Sequence, residues 1–249
     1  MFPAIIGHRG IPHLAPENTM ASFKLALEKG AGGLETDIQM TKDGELVLIH
    51  DETLERTTNG TGLVASHTLA ELRALDAGSR FSPDFKNEKI PTLREFLEFV
   101  SGRELLINIE IKSGVVLYPG IERKLIEMLR EFNMRDNVII SSFNHYSLVT
   151  CKELDDGLKT GILYMAGLVD PWIYAKRINA DALHPLFYAV RSETIGGMKE
   201  SGLLLNPWTV DDPKAMRGMV ALGVDGIITN YCDVLSEIRT EDWFLEAQL

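Results

Sequence analysis

Two runs of the sequence carry acidic side chains at strand spacing. In GLETDIQM, residues 33–40, Glu35 and Asp37 stand two positions apart. Side chains along a strand alternate faces, so both carboxylates point the same way. In LLINIEIK, residues 105–112, the side chains of Leu105, Ile107, Ile109 and Ile111 form an apolar face, and Asn108, Glu110 and Lys112 form the other. Burying three polar groups on an inward face is costly unless each finds a partner. A polar network meets that need in one way and a cation in another. Carboxylates with no cysteine nearby suit a hard, oxygen-preferring ion, Mg²⁺ or Ca²⁺.

Histidines join these carboxylates from two directions. The stretch GHRGIPHLAPENT, residues 7–19, ends a short apolar run in His8, Arg9 and Gly10, which suits the rim of a site. In MTKDGELVLIHD, the Asp43-Gly44 pair between alternating runs signals a tight hairpin. With Lys42 opposite Glu45, Asp37 comes opposite His50. Directly opposed residues have Cβ atoms about 4.5–5.5 Å apart. A longer loop would shift that pairing by one.

The elements that must position these groups alternate along the whole chain. Strand patterns fall at 4–8, 33–40, 105–112, 138–143, 160–165, 182–187, 203–208 and 226–230, with helical patterns between them such as 18–30, 119–132 and 212–223. Asn18 and Asp211 suit helix N-caps, and Gly30 and Gly223 suit helix ends. Eight evenly spaced βα units predict an α/β fold, a (β/α)₈ TIM barrel. A doubly wound open sheet is the runner-up. Residues 51–91, polar and rich in Gly, Thr and Ser, break the rhythm and hold one short helical pattern around 68–76. They read as a small insertion after the second strand of a single domain spanning 1–249. Loops at that end of a barrel commonly shape its active site.

The bulk properties limit the partners. The chain has 249 residues, 45 % hydrophobic and 24 % charged, with a formal net charge of −11. A surface that acidic argues against nucleic acid or an anionic membrane as the main partner. An anionic substrate therefore requires local positive charge at the site. Cys151 and Cys232 have no metal-ligand spacing and read as free thiols in a reducing compartment. MFPAII lacks the features of a secretory signal, and no run is long enough for a membrane span. The expectation is a soluble cytoplasmic protein with no stable membrane anchor; oligomeric state is not legible.

Taken in order, His8-Arg9, Pro16-Glu17-Asn18, Glu35-Thr36-Asp37, His50-Asp51 and Glu110-Ile111-Lys112 resemble the glycerophosphodiester phosphodiesterase family. The resemblance runs from HRG through TKDGELVLIHD to NPWTV and DGIIT. It implies a metal-dependent (β/α)₈ barrel that hydrolyses glycerophosphodiesters, such as glycerophosphocholine or glycerophosphoethanolamine, to glycerol 3-phosphate and an alcohol. It also implies that His8 and His50 are the acid/base pair and that Glu35, Asp37 and Glu110 are the metal ligands. Arg9 and Lys112 would hold the phosphate and Trp208 would line the substrate pocket, with Asn18 near the site and Glu17 orienting Arg9. The family often has Asp after the strand-eight Thr, where this chain has Asn230.

The chemistry agrees with those residue types. A divalent ion offsets charge on the phosphoryl group, Arg9 can grip two phosphate oxygens, and Lys112 supplies a compact charge. Two histidines suit the proton transfers near neutrality. The expected division is His8 as acid and His50 as base, with either water or the substrate's glycerol 2-hydroxyl as nucleophile. A lysophospholipase D-like enzyme would need an exposed apolar lip, and the sequence has no basic amphipathic segment to serve as an anchor. A non-catalytic glycerophosphate-binding barrel should have lost a histidine or a carboxylate. An amidohydrolase-type barrel should have more histidine ligands.

Other residues carry blander readings. His184 falls at the end of the sixth strand on the site face and is a candidate substrate contact. Phe143 and Trp208 close strands four and seven, where packing and pocket lining are both open; Asn206, sharing parity with Trp208, favours the latter. His13 reads as a loop residue with local hydrogen bonds, and His67 and His145 as solvated. Asp51 reads as a turn residue. The tail EDWFLEAQL reads as a frayed or docking helix end, with Trp243 packing back or against a partner.

Overall fold

The chain is described by a computed structural model covering the backbone of residues 2–246 and the side chains of residues 2–241. Trp243 lies outside the described side chains. The strands are β1 (Ala4–Gly7), β2 (Gly33–Met40), β3 (Leu46–Leu48), β4 (Leu106–Ile111), β5 (Val138–Ser142), β6 (Lys159–Tyr164), β7 (Ala182–Pro185), β8 (Leu204–Leu205) and β9 (Gly226–Thr229). All except β3 run parallel, in the order β8-β7-β6-β5-β4-β2-β1-β9. The two ends of that path meet through backbone bonds: Asp225 N–H donates to the Leu205 carbonyl at 2.9 Å and Ile228 N–H to Pro207 at 3.0 Å. The end strands β8 and β9 are neighbours, so the sheet closes as a barrel and the open-sheet alternative is excluded.

Strand parity sorts the side chains into two layers. Leu34, Ile38, Ile107, Ile109, Ile111, Ile140, Ile162 and Leu183 face outward into one apolar core with the surrounding helices. Ile6, Ile139, Leu163 and Ile228 are buried on the inward parity, and so are Asn108, His184 and Asn206. Gly161 makes room for one of them: a Cβ there would stand 2.8 Å from His184 Nε2. Among the described residues, no helix is long and apolar enough to cross a membrane. Cys151 and Cys232 are free and buried.

Two helix caps differ from expectation by one residue. Helix Met20–Glu28 is capped by Thr19, whose hydroxyl accepts from Ser22 N–H at 3.2 Å, while Asn18 sits in the left-handed region at φ 54°. Helix Pro213–Leu222 is capped by Asp212, which accepts from Ala215 N–H at 2.9 Å. In both cases the expected cap is committed elsewhere, Asn18 to Asp37 and Asp211 to Asn230. Gly223 does end its helix at φ 67°.

The hairpin register also differs by one. β3 pairs antiparallel with β2 as Ile38–Leu48, Gln39–Val47 and Met40–Leu46. Thr41 N–H donates to Glu45 O at 2.9 Å, and Gly44 has φ 87°. The loop thus holds three residues closing on a left-handed glycine rather than two. Asp37 therefore faces Ile49, not His50.

Beyond β3 the chain forms short helical turns, Val64–Ser66, Leu69–Ala74 and Pro83–Phe85. Thr68 and Glu71 form a capping box on the second of these. Val47, Ile49, Leu54, Val64, Leu72, Ala77 and Ile90 pack as a second apolar cluster. β3 joins the two cores, since Leu46 and Leu48 belong to the main one.

Candidate active site

The parallel pairing of β2 with β4 sets Glu35 beside Asn108 and Asp37 beside Glu110. One ligand oxygen from each of Glu35, Asp37 and Glu110 falls within 4.8 Å of the others, and all three residues are buried. Burial and the Asp37 charge push the Glu35 carboxyl well above the ordinary carboxylate range, and the same two causes push Glu110 up to about 7. Burial would raise Asp37 as well, but Arg9 and Lys112 hold it below its ordinary value. The cluster is thus short of positive charge. Asp37 Oδ1 is buried without a hydrogen-bond partner, with Lys112 Nζ 3.9 Å away. An orphaned acceptor among crowded acidic oxygens fits a hard divalent cation.

The residues of HRG reach this cluster through a turn. Arg9 has φ 55° and Gly10 φ 89°, and a Cβ on Gly10 would collide with Ser22. The turn lets Arg9 N–H donate to Glu35 Oε2 at 2.8 Å. The Arg9 guanidinium lies 3.2 Å from Asp37 Oδ2 through Nε and donates to Glu17 Oε1 at 3.0 Å through Nη1. Glu17 therefore contacts Arg9 as expected. Asn18, expected near substrate, instead sits behind Asp37: its Nδ2 donates to Asp37 Oδ2 at 2.9 Å and its Oδ1 accepts from Thr36 at 2.8 Å. It is buried and both ends of its amide are used, so it orients a carboxylate.

The two histidines are held by different partners. His8 Nδ1 is 2.7 Å from Asn230 Oδ1, and Asn230 Nδ2 donates to Asp211 at 2.7 Å. Only a protonated Nδ1 can bond an amide oxygen, which leaves His8 Nε2 as the acceptor nitrogen. Burial and the Arg9 charge push His8 down to about 3. His50 Nδ1 is 2.6 Å from Asp51 Oδ1, and its Nε2 lies 3.1 Å from Lys112 Nζ. Lys112 also donates to Glu110 at 2.9 Å. Although the hairpin register is shifted, the chain bends after Ile49 and brings His50 to the cleft. Gln39, not singled out from the sequence, fixes that bend by donating to the His50 carbonyl at 2.9 Å. Its parity with Glu35 and Asp37 was the available signal.

His8, Arg9, Glu35, His50, Glu110 and Lys112 line one cleft of about 350 Å³ with Asn108, Phe143, Leu163, Trp208 and Ile228. Phe143 and Trp208 meet edge to face with ring centroids 5.4 Å apart. Trp208 Nε1 donates to the His184 carbonyl at 2.8 Å. The His184 side chain is a correction: it is fully buried inside the barrel, bonded to Asn206 Nδ2 at 3.1 Å, and outside the cleft lining. Burial pushes it down to about 3. His145 is not solvated either, since its ring nitrogens meet Tyr174 Oη and the Leu163 carbonyl, both at 2.9 Å. His13 stacks on Tyr231 and meets Asp233 at 2.8 Å, a local role as expected.

Comparison with known proteins follows the same features. The model of the glycerophosphoryl diester phosphodiesterase family matches residues 8–234. A glycerophosphodiester phosphodiesterase of Caldanaerobacter subterraneus subsp. tengcongensis is 53 % identical over 226 residues, covering 91 % of this chain and 93 % of that protein. One from Bacillus altitudinis is 41 % identical over 95 % of this chain and 98 % of its own. The solved structure of an Oleispira antarctica phosphodiesterase in complex with the product sn-glycerol-3-phosphate superposes with a TM-score of 0.87. It is 30 % identical and covers 95 % of this chain and 96 % of its own.

Proposed function

The chain belongs to the glycerophosphoryl diester phosphodiesterase family, and from its site we propose that it hydrolyses glycerophosphodiesters to glycerol 3-phosphate and an alcohol with the help of one divalent cation, Mg²⁺ or Ca²⁺. The observation that carries this reading is a cleft lined by Glu35, Glu110, two cationic side chains and two histidines, with buried Asp37 crowded against the two carboxylates.

Glu35, Asp37 and Glu110 would hold the cation, which when bound would neutralise charge on the phosphoryl oxygens. Arg9 and Lys112 bind the phosphodiester. Arg9 is braced by Asp37 and Glu17, so its fork is oriented before substrate arrives. Lys112, on binding, exchanges its contacts with Glu110 and His50 for a phosphate oxygen.

The hydrogen-bond partners divide the proton transfers. Burial and the Arg9 charge keep His8 neutral, and the amide oxygen on Nδ1 leaves Nε2 free to accept, so His8 is the base toward the attacking hydroxyl. Asp51 on Nδ1 holds the His50 ring, and Nε2, given up by Lys112 when phosphate binds, faces the leaving group, so His50 is the acid that protonates the departing alkoxide. This reverses the division expected from sequence. Trp208 and Phe143 form the apolar wall against which the glycerol or alcohol carbon skeleton rests.

The test is release of glycerol 3-phosphate from glycerophosphocholine in EDTA, then with Mg²⁺ or Ca²⁺ restored. Turnover abolished by EDTA and recovered with one ion supports the reading; turnover indifferent to EDTA removes the cation from it.

A second reading, a lipid-borne phosphodiester as substrate, is favoured by the cleft's surroundings. Val115, Leu117, Tyr146, Val169, Ile173 and Tyr188 are exposed on the segments that follow β4, β5, β6 and β7, the same end of the barrel as the cleft. Neighbouring segments are tied by Asn144 to Ser113 at 3.2 Å and by His145 to Tyr174 at 2.9 Å. Exposed apolar side chains gathered at one end of a fold suit an apolar ligand. Turnover of lysophosphatidylcholine that rises sharply above its micelle threshold supports this reading; no turnover of it excludes lipid.

A further inference from the structure

Arg56 lies in the polar segment after β3, outside the cleft lining, with its side chain 46 % exposed. An exposed arginine of that kind ordinarily makes loose, weak ion pairs. This one uses both edges of its guanidinium. Nη1 and Nη2 donate to Glu17 Oε2 and Oε1 at 2.6 and 2.7 Å. Nε and Nη2 donate to Asp51 Oδ2 and Oδ1 at 2.6 and 3.0 Å. Each carboxylate then holds a cleft residue: Glu17 Oε1 takes Arg9 Nη1 at 3.0 Å, and Asp51 Oδ1 takes His50 Nδ1 at 2.6 Å.

We propose that Arg56 is a positioning residue for the reaction, locking the phosphate-binding Arg9 and the proton-transferring His50 into one rigid chain, Arg9–Glu17–Arg56–Asp51–His50. The inference rests on the roles given to Arg9 and His50 above. Those two side chains come from different parts of the fold, the turn after β1 and the bend after β3, and Arg56 is the group that bridges their supports. Only a planar fork with five donors can pair two carboxylates edge-on at once; a lysine ammonium supplies charge without that geometry. Arg56 also ties the inserted segment to the site, since the chain that carries it packs through Leu54 into the second apolar cluster. Its loss should leave both carboxylates ionised yet free to swing, and the error then reaches the reacting groups, where small misplacements are costly.

The experiment compares wild type with Arg56→Gln and Arg56→Lys, each alone and combined with Asp51→Asn or Glu17→Gln. Arg56→Gln should lower kcat/KM by about tenfold to hundredfold, the scale on which outer-shell partners act, with Arg56→Lys restoring little. The kcat loss should vanish in the Asp51→Asn background and the KM rise in the Glu17→Gln background, because each path runs through one carboxylate. The second readout is independent of substrate: the NMR signal of the His50 Nδ1 proton, protected from exchange in wild type, should broaden or disappear in both Arg56 variants. Activity within twofold of wild type in Arg56→Gln, full rescue by lysine, additive losses with both carboxylate variants, or an unaltered His50 Nδ1 signal would each overturn the proposal. Absence of turnover in wild type would refute the assigned reaction instead, and the Nδ1 signal would still decide the role of Arg56.

Discussion

Asp37 and Glu110 occupy directly facing positions on adjacent parallel strands, β2 and β4. Like charges at facing positions destabilise a sheet, and here both side chains point into a buried interior with Glu35 close by. The arrangement suits a cation, which would relieve the crowding of these carboxylates.

A cation should therefore stabilise the protein in a pH-dependent way. The Glu110 carboxyl lies at about 7 in the cation-free fold against an ordinary 4.5, so the folded state holds a proton the unfolded chain has released. That part of the stability is lost as pH rises from about 4.5 to about 7. Glu35, also raised, acts in the same direction. The cation displaces these protons, so its stabilisation should grow across that window by about 1.4 kcal/mol per pH unit for each proton displaced. The check is the difference in melting temperature between EDTA and Mg²⁺ or Ca²⁺ from pH 5 to 7.5. Buried His184 affects both curves equally and cancels. A constant difference would mean that Glu110 is not a ligand, and Glu110→Gln should flatten the slope.

The two histidines make opposite predictions with an activated substrate. His8→Ala and His50→Ala should each lower kcat on glycerophosphocholine by about 10²–10⁴-fold. A p-nitrophenyl phosphodiester releases a stable phenolate that needs no proton. His50→Ala should then approach wild-type rates while His8→Ala stays impaired. Recovery of His8→Ala instead would restore the division of roles expected from sequence.

Asn230 should act through His8. Its Oδ1 accepts the Nδ1 proton at 2.7 Å and thereby fixes which nitrogen faces the cleft. Asn230→Ala removes the hydrogen bonds to His8 and to Asp211, both part-buried and each worth about 0.5–1.5 kcal/mol. The expected result is a kcat lower by about tenfold with cation affinity unchanged. Weakened cation binding in that variant would place Asn230 in the support of the carboxylates instead.

What the sequence made legible follows from periodicity. The alternation in 33–40 and 105–112 put Glu35, Asp37 and Glu110 on one inward face, and the even spacing of βα units implied closure. The hairpin register was not legible, because an Asp-Gly pair serves a two-residue loop or the end of a three-residue one. Asn18, expected among the substrate-binding residues, lies behind Asp37 instead, an orientation that depends on a left-handed backbone no pattern announces. Arg56 was invisible: an arginine in a polar loop has no period, and its two carboxylate partners are 39 and 5 residues away in the chain.

His184 shows where parity alone could have corrected a motif-level reading. Leu183 faces the outer core, so His184 on the same strand must face the barrel interior, where Gly161 makes space for it. Its ring bonds Asn206, which is outside the cleft lining. His184→Ala should therefore act on stability rather than binding. Deleting a large buried side chain costs about 2–5 kcal/mol when the cavity cannot collapse, and a barrel interior fixed by backbone ladders collapses little. The melting temperature should fall by several degrees while KM for glycerophosphocholine stays within about twofold of wild type. A large rise in KM with an unchanged melting temperature would return His184 to the substrate.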